Sequence, residues 1–212
     1  MDDTVAITFI RHGLTKSNLK KAYLGWTDEE LSEQGRKELS RYLHMNPASI
    51  FTSDLKRCIE TASILFPLQP VMTIPDLREM HFGDWEWLTH EDLQEDDHYQ
   101  KWLEGYERMN TPNGESFLQF QQRVEKGWDQ IRNRIIHGKN KDTVIIAHGG
   151  SLRYILSQLD SEQRSFWDIP LSHGSGYTIQ TTIQDFMEGK RCILSPVERS
   201  MVKESGPQNH TK

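Results

Sequence analysis

A three-layer α/β/α sandwich around a mainly parallel sheet is the fold this sequence predicts, as a single domain over 1–198. Three observations lead there. Short apolar, β-branched runs alternate with segments of helical period, as in a parallel sheet covered on both faces. Two of those runs end in a histidine followed by a glycine, Arg11-His12-Gly13 and Ala147-His148-Gly149-Gly150, at the strand edge where open α/β sheets build their sites. A length of 212 residues suits one α/β domain, with room for an inserted lid.

The first strand is Thr4 to Ile10, mostly β-branched or apolar, and Gly13 permits the turn that ends it. Ser32 is placed as the N-cap of a helix with Leu39 and Leu43 on its inner face. Ser49 to Thr52 is a short strand. Asp54 can then cap a helix whose Cys58, Ile59, Ala62 and Leu65 share one side, with Pro67 and Pro70 ending it. Val71 to Ile74 is a further strand. An irregular, lid-like segment of about 85–113 follows, rich in tryptophan and acids. Beyond Gly114, Phe117, Phe120, Val124, Trp128, Ile131 and Ile135 recur at three- and four-residue steps, the clearest helix of the chain. Thr143 to Ala147 is a buried strand and Ser151 to Leu159 a helix. Tyr177 to Thr182 alternates like a strand, with Arg191 to Leu194 as its hairpin partner. The polar stretch 199–212 is expected to be a loose tail.

Composition excludes several classes. A formal charge of −6 argues against general nucleic-acid binding. No apolar run approaches a membrane span, and the acidic start Met1-Asp2-Asp3 is no signal peptide. Cys58 and Cys192 are far apart, and Cys58 falls at an apolar helical spacing, which fits a reduced thiol and a cytoplasmic location. No Gly-x-Gly-x-x-Gly follows a strand and no Walker-type Gly-Lys-Ser/Thr occurs, so no dinucleotide or triphosphate site is indicated.

Four strand ends offer Arg11 with His12, Arg57, Glu79 and His148. Such a group suits a phosphate monoester. Guanidinium forks match phosphate oxygens, so Arg11 and Arg57 can hold and neutralise the group. Flanking arginines keep His12 neutral, and its imidazole can attack phosphorus to form a phosphohistidine. His148, if protonated against the dianion, can stabilise the equatorial oxygens. Glu79 can protonate the leaving alkoxide and then deprotonate the hydrolytic water. That scheme needs Glu79 to carry a proton in the complex, so activity is expected to peak below neutrality.

The ordered set of motifs resembles the histidine phosphatase superfamily, in its phosphoglycerate-mutase-like branch, which includes bacterial broad-specificity and α-ribazole phosphatases. The resemblance runs from Phe9 to about Leu194. It rests on Arg11-His12-Gly13 with Thr15 and Asn18, Gly25-Trp26-Thr27-Asp28, Ser53-Asp54-Leu55 with Arg57, Leu77-Arg78-Glu79, Phe82-Gly83-Asp84-Trp85, Pro112-Asn113-Gly114-Glu115-Ser116 and Ala147-His148-Gly149-Gly150. It implies a phosphoglycerate-mutase-like fold, with His12 as the phosphorylated nucleophile and Glu79 as proton donor. Arg11, Arg57 and His148 would form the rest of the pocket. Asn18, with Thr15 beside it, matches a position that contacts the phosphoryl group, and Gly149 offers a backbone N–H. A small phosphorylated metabolite is the implied partner, with no metal or organic cofactor. Two departures stand out. Leu14 replaces a common acidic residue, and Leu24 stands where many relatives carry glutamine in contact with substrate.

Rival readings are a primer-dependent mutase, for which the segment from Trp85 to Thr111 looks short, and a non-catalytic phospholigand binder, which would tolerate loss of His12. The acids Glu91, Asp92 and Glu95 to Asp97 suit a solvated face, and His81, His98 and His173 lack zinc spacing. His173 could equally rim the pocket or sit on a surface loop. Trp26, Trp85 and Trp87 fit packing better than substrate contact. Tyr99, Trp102, Tyr106, Arg108 and Met109 are candidates for the wall facing the leaving group.

Overall fold

The structure, a computed structural model, describes residues 3–39, 47–107, 109–138 and 141–197. Leu43, Arg108 and the tail 199–212 lie outside the described residues. Among those described, the strands are β1 (Thr4–Arg11), β2 (Ser49–Thr52), β3 (Met72–Thr73), β4 (Asp142–Ala147), β5 (Gly176–Thr182) and β6 (Ser195–Pro196). The α-helices are α1 (Lys16–Leu19), α2 (Glu33–Leu39), α3 (Lys56–Leu65), α4 (His90–Leu93), α5 (Asp97–Gly105), α6 (Phe117–His137), α7 (Gly149–Leu159) and α8 (Ile183–Met187).

One sheet runs β3-β2-β4-β1-β5-β6. Its pairings β1–β4, β2–β4 and β2–β3 are parallel, while β5 and β6 add antiparallel at one side. Alternation along the central strands decides the layers. Val5, Ile7, Phe9, Ile145 and Ala147 face a core built with α6 and α7, whereas Ile10, Val144 and Ile146 face a second core with Leu39, Cys58, Ala62 and Leu65 of α2 and α3. The result is the expected sandwich, whose parallel strands are apolar on both faces because helices cover both.

Differences from expectation lie at edges and caps. The hairpin partner of β5 is Ser195–Pro196 rather than Arg191 to Leu194; Cys192 instead bridges to Asp160 beyond the end of α7. Asp54 does not cap α3. Its carboxylate is taken by the Arg78 guanidinium at 2.5 and 2.7 Å, and the first amide of α3, Lys56 N–H, donates to the distant Asp28 at 2.7 Å. Ile59 turns out to be exposed. Ser32 does accept the Gly35 N–H at 3.0 Å, as an N-cap should. Ser116 and Gln119 close α6 with a reciprocal capping box.

Within 85–113, α4 and α5 fold over a nest of rings. Trp85, Tyr99 and Trp102 meet one another, and Tyr99 and Trp102 also meet Tyr23, with centroids between 5.3 and 6.2 Å apart. No helix among the described residues is long and apolar enough to cross a membrane.

Candidate active site

The carboxyl ends of β1 and β4, adjacent and parallel, bring Arg11, His12 and His148 together because Arg11 and Ala147 are in register. The His12 and His148 ring centroids are 5.1 Å apart. His12 Nδ1 lies 2.7 Å from Gly13 O. A carbonyl only accepts, so Nδ1 carries the proton and Nε2 keeps its lone pair. Burial first, then the charge of Arg57, the His173 ring and Arg11, hold His12 well below the ordinary histidine range. The ring is a neutral base at neutral pH.

Arg57 projects from the first turn of α3 and is fully buried. Its Nη1 donates to Thr27 O at 2.9 Å, its Nη2 to Gly25 O at 2.6 Å and its Nε to His148 Nδ1 at 3.2 Å. Three of its five N–H groups are thus spent on the protein, which leaves one on each Nη for a ligand. Glu86 straps the same loop from the other side, accepting the Trp26 and Thr27 amides at 2.7 and 2.6 Å. With Nδ1 accepting from Arg57, the Nε2–H of His148 donates to Ser53 Oγ at 2.9 Å. Burial and the same arginines keep His148 neutral as well. Its expected protonated form therefore needs an incoming anion to offset those charges.

Arg11 Nη1 donates to Leu171 O at 2.8 Å, whereas its buried Nε has no partner. Burial lowers its pKa to about 10, opposed by Glu79, so it stays charged at neutral pH. Glu79 approaches from the loop after β3. Its carboxylate accepts the Met80 N–H at 3.0 Å and the Gly150 N–H at 2.8 Å, the latter from the first turn of α7. A Cβ on Gly150 would overlap Glu79 Oε1, so only glycine lets the carboxylate sit there. Gly149, one residue earlier, lies against the Arg11 guanidinium, and its N–H has no acceptor within the helix.

Placement of the remaining candidates is mixed. Thr15 and Asn18 cap α1 reciprocally, Thr15 Oγ1 taking the Asn18 amide and Asn18 Oδ1 the Thr15 amide, so the Asn18 NH2 is left over by the cap. Leu24 is buried and is not part of the cavity wall described next.

A cavity of about 460 Å³ opens beside Arg11, Glu79, Gly149 and Gly150. Its wall is aromatic, with Tyr23, Trp102, Tyr106, Phe117, Phe166 and Trp167, and carries one further cation, Arg153. Trp102 and Tyr106 stand where the sequence reading put them. Tyr99 lies behind the wall, its hydroxyl held by Tyr23 and His90, and Met109 packs against the core. Phe166 and Trp167 escaped sequence reasoning because they arrive from the loop after α7, far from any motif, and Arg153, three residues past Gly150, because a helical pattern does not say which side chain of α7 reaches the cavity.

Two supports were also missed. Arg123 of α6 donates to the carbonyls of Asp76, Arg78 and Glu79 at 2.9–3.0 Å and pairs with Glu115. Trp26 Nε1 donates to the same Glu79 carbonyl at 3.0 Å, and the Arg78 and Arg123 guanidiniums lie over its ring at 5.0 and 5.4 Å from the centroid. These contacts fix the backbone that carries Glu79. Trp26 and Trp85 are packing residues, and Trp87 is exposed with a left-handed φ of 70°.

Comparison with known proteins agrees with this geometry. The family model of the histidine phosphatase superfamily (branch 1) matches residues 7–188. The chain is 32% identical over 158 residues to the adenosylcobalamin/α-ribazole phosphatase of Escherichia coli K12, covering 71% of this chain and 76% of that one. It is 34% identical over 169 residues to a 2,3-bisphosphoglycerate-dependent phosphoglycerate mutase of Cytophaga hutchinsonii, covering 73% and 76%. The α-ribazole phosphatase of Shigella flexneri superposes with a TM-score of 0.79 at 27% identity, over 94% of this chain and all (100%) of that one. Cations, two neutral histidines and a carboxylate at one sheet edge, with this match along most of the sequence, place the chain in the histidine phosphatase superfamily, as an enzyme of phosphatase type.

Proposed function

We propose that the protein hydrolyses small phosphate monoesters through a phosphohistidine on His12. The observation that carries this reading is the His12 tautomer: Nδ1–H is tied to Gly13 O, which leaves a neutral Nε2 lone pair among cations. In the first step Nε2 bonds to phosphorus while the ester P–O bond breaks, and Glu79 gives its proton to the departing oxygen. In the second, water bonds to phosphorus as Glu79 takes its proton, and the N–P bond breaks to restore the lone pair. Arg11, the two remaining N–H groups of Arg57 and the Gly149 N–H hold the phosphoryl oxygens, with the Asn18 amide beside them. The dianion offsets the arginines around His148 and favours its protonated form.

The aromatic chamber takes the leaving group. Its rings favour a planar or apolar alcohol. An α-ribazole phosphate, the substrate class named for the Escherichia coli relative, has these properties. Likeness to phosphoglycerate mutases supports a second reading, phosphoryl transfer that depends on a bisphosphate primer.

Phosphate release from sugar phosphates, phosphoglycerates, nucleotides, α-ribazole phosphate and an aryl phosphate, in chelator and with His12→Ala alongside, separates the two. Turnover by the parent alone, fastest on esters with a ring, is the expected result. Silence on every ester until a bisphosphate is added would favour the mutase reading.

A further inference from the structure

His173 sits in the loop that joins α7 to β5, and nothing in its local sequence marks it as functional. The loop is nevertheless stitched to the site. Gly174, at φ 66°, donates its N–H to the carbonyls of Arg11 and His12 at 3.0 and 3.1 Å, and the preceding Leu171 carbonyl takes Arg11 Nη1. The His173 ring is thereby pressed edge-on to His12, with centroids 5.3 Å apart. Two imidazoles therefore lie against His12, His148 at 5.1 Å and His173 at 5.3 Å between centroids.

The orphaned atoms are informative. Among the described residues only four buried side-chain N or O atoms lack a partner, and two of them are Arg11 Nε and His173 Nε2. Buried polar atoms without partners are costly and are ordinarily satisfied by protein, water or ligand. Two such nitrogens, on residues joined through one turn and both beside the nucleophile, suit a ligand that accepts from each. A phosphoryl group has the oxygens to do so. Burial, Arg11 and Arg153 together hold the ring neutral, with a pKa lowered to about 3.

We propose that His173 is a third histidine of the phosphate site, donating from Nε2 to a phosphoryl oxygen and orienting the group for His12. The inference rests on the phosphatase reading above. On this account His173 joins Arg11, Arg57 and His148 in holding the group, so that phosphorus is presented to the His12 Nε2 lone pair. Each bond would also give an acceptor to a nitrogen that has none within the protein.

The test uses His173→Phe, which keeps a ring of similar shape without a donor, and His173→Gln, which restores an N–H. Inorganic phosphate binding is read from the rise in melting temperature it produces, and kcat and KM from an aryl phosphate. His173→Phe is expected to weaken phosphate binding and lower kcat/KM by about 10–10²-fold, somewhat less than loss of a full oxyanion donor. His173→Gln should recover most of both. Phosphate affinity in His173→Phe within about twofold of the parent, with kcat/KM unchanged, would overturn the assignment. A parent that turns over esters while all His173 variants match it refutes this inference alone. A parent that neither turns over esters nor binds phosphate refutes the phosphatase reading with it.

Discussion

Gly150→Ala separates catalysis from stability more cleanly than deletion of any charged group. The new methyl would overlap Glu79 Oε1 and press on Phe120, so the carboxylate must retreat by about 1 Å to reach ordinary contact distance. Glu79 Oε1 is the far end of a flexible side chain, and the fold yields there at little cost. Alanine is favoured over glycine inside a helix by about 1 kcal/mol. Against that stands the bond from Gly150 N–H to the carboxylate, about 1.5–3 kcal/mol if lost outright. The net is a loss of about 0.5–2 kcal/mol, or a fall in melting temperature of about 1–8 °C. Catalysis fares worse. A misplacement of about 1 Å in the proton donor is expected to lower kcat about 10²-fold, equivalent to about 2.7 kcal/mol of barrier. Inhibition by inorganic phosphate should be nearly unchanged, since the atoms nearest the new methyl belong to Glu79 and Phe120 and not to Arg11, His12 or Arg57. Steady-state kinetics with an alkyl ester such as a sugar phosphate, whose leaving oxygen needs a proton, thermal melts and phosphate inhibition measure all three. A kcat within about threefold of the parent would mean that Glu79 is not the group transferring the proton.

Arg123→Ala should act through the same carboxylate from behind. Loss of its carbonyl contacts and of the shielded pair with Glu115 is expected to cost about 3 kcal/mol in urea denaturation, with a fall in kcat larger than any rise in KM. Stability should drop in acid. His12, His148 and His173 are all held below the ordinary histidine value, so beneath about pH 6.5 the unfolded chain binds protons that the native one refuses. Each then removes about 1.4 kcal/mol per pH unit until its own folded value is reached, for His173 at about 3, and melts from pH 7.5 to 5 should show the slope. Activity that peaks below neutrality will meet this limit on its acid side. Cys58, whose thiol burial pushes up to about 12, should resist alkylation at pH 8 in the native protein and react once urea unfolds it.

Much of the site was legible because its residues follow short apolar strands directly. Arg11, His12 and His148 are fixed by β1 and β4, whose sequences admit almost no other reading. Glu79 and Arg57 could be named from their motifs, but not the direction of their bonds. That one N–H from each Nη of Arg57 is spent on Gly25 and Thr27 depends on a loop whose course no periodicity reports. The same holds for His173, Arg153 and Trp167, which reach the site through tertiary contacts. Asp54 was mistaken for a cap because its sequence position suits one, while Arg78, 24 residues on, outcompetes the helix for its carboxylate. The short edge strand Ser195–Pro196 has too few residues to show alternation.

The central claim is the covalent intermediate on His12. Glu79→Gln should still accept the phosphoryl group from an activated aryl ester, whose leaving group needs no proton, yet hydrolyse it slowly. Acid-free rapid quench and peptide mass spectrometry should then find a phosphoryl adduct on His12, stable to alkali and absent from His12→Ala. Turnover by the parent with no adduct on His12 in either protein, at any quench time, would contradict the account.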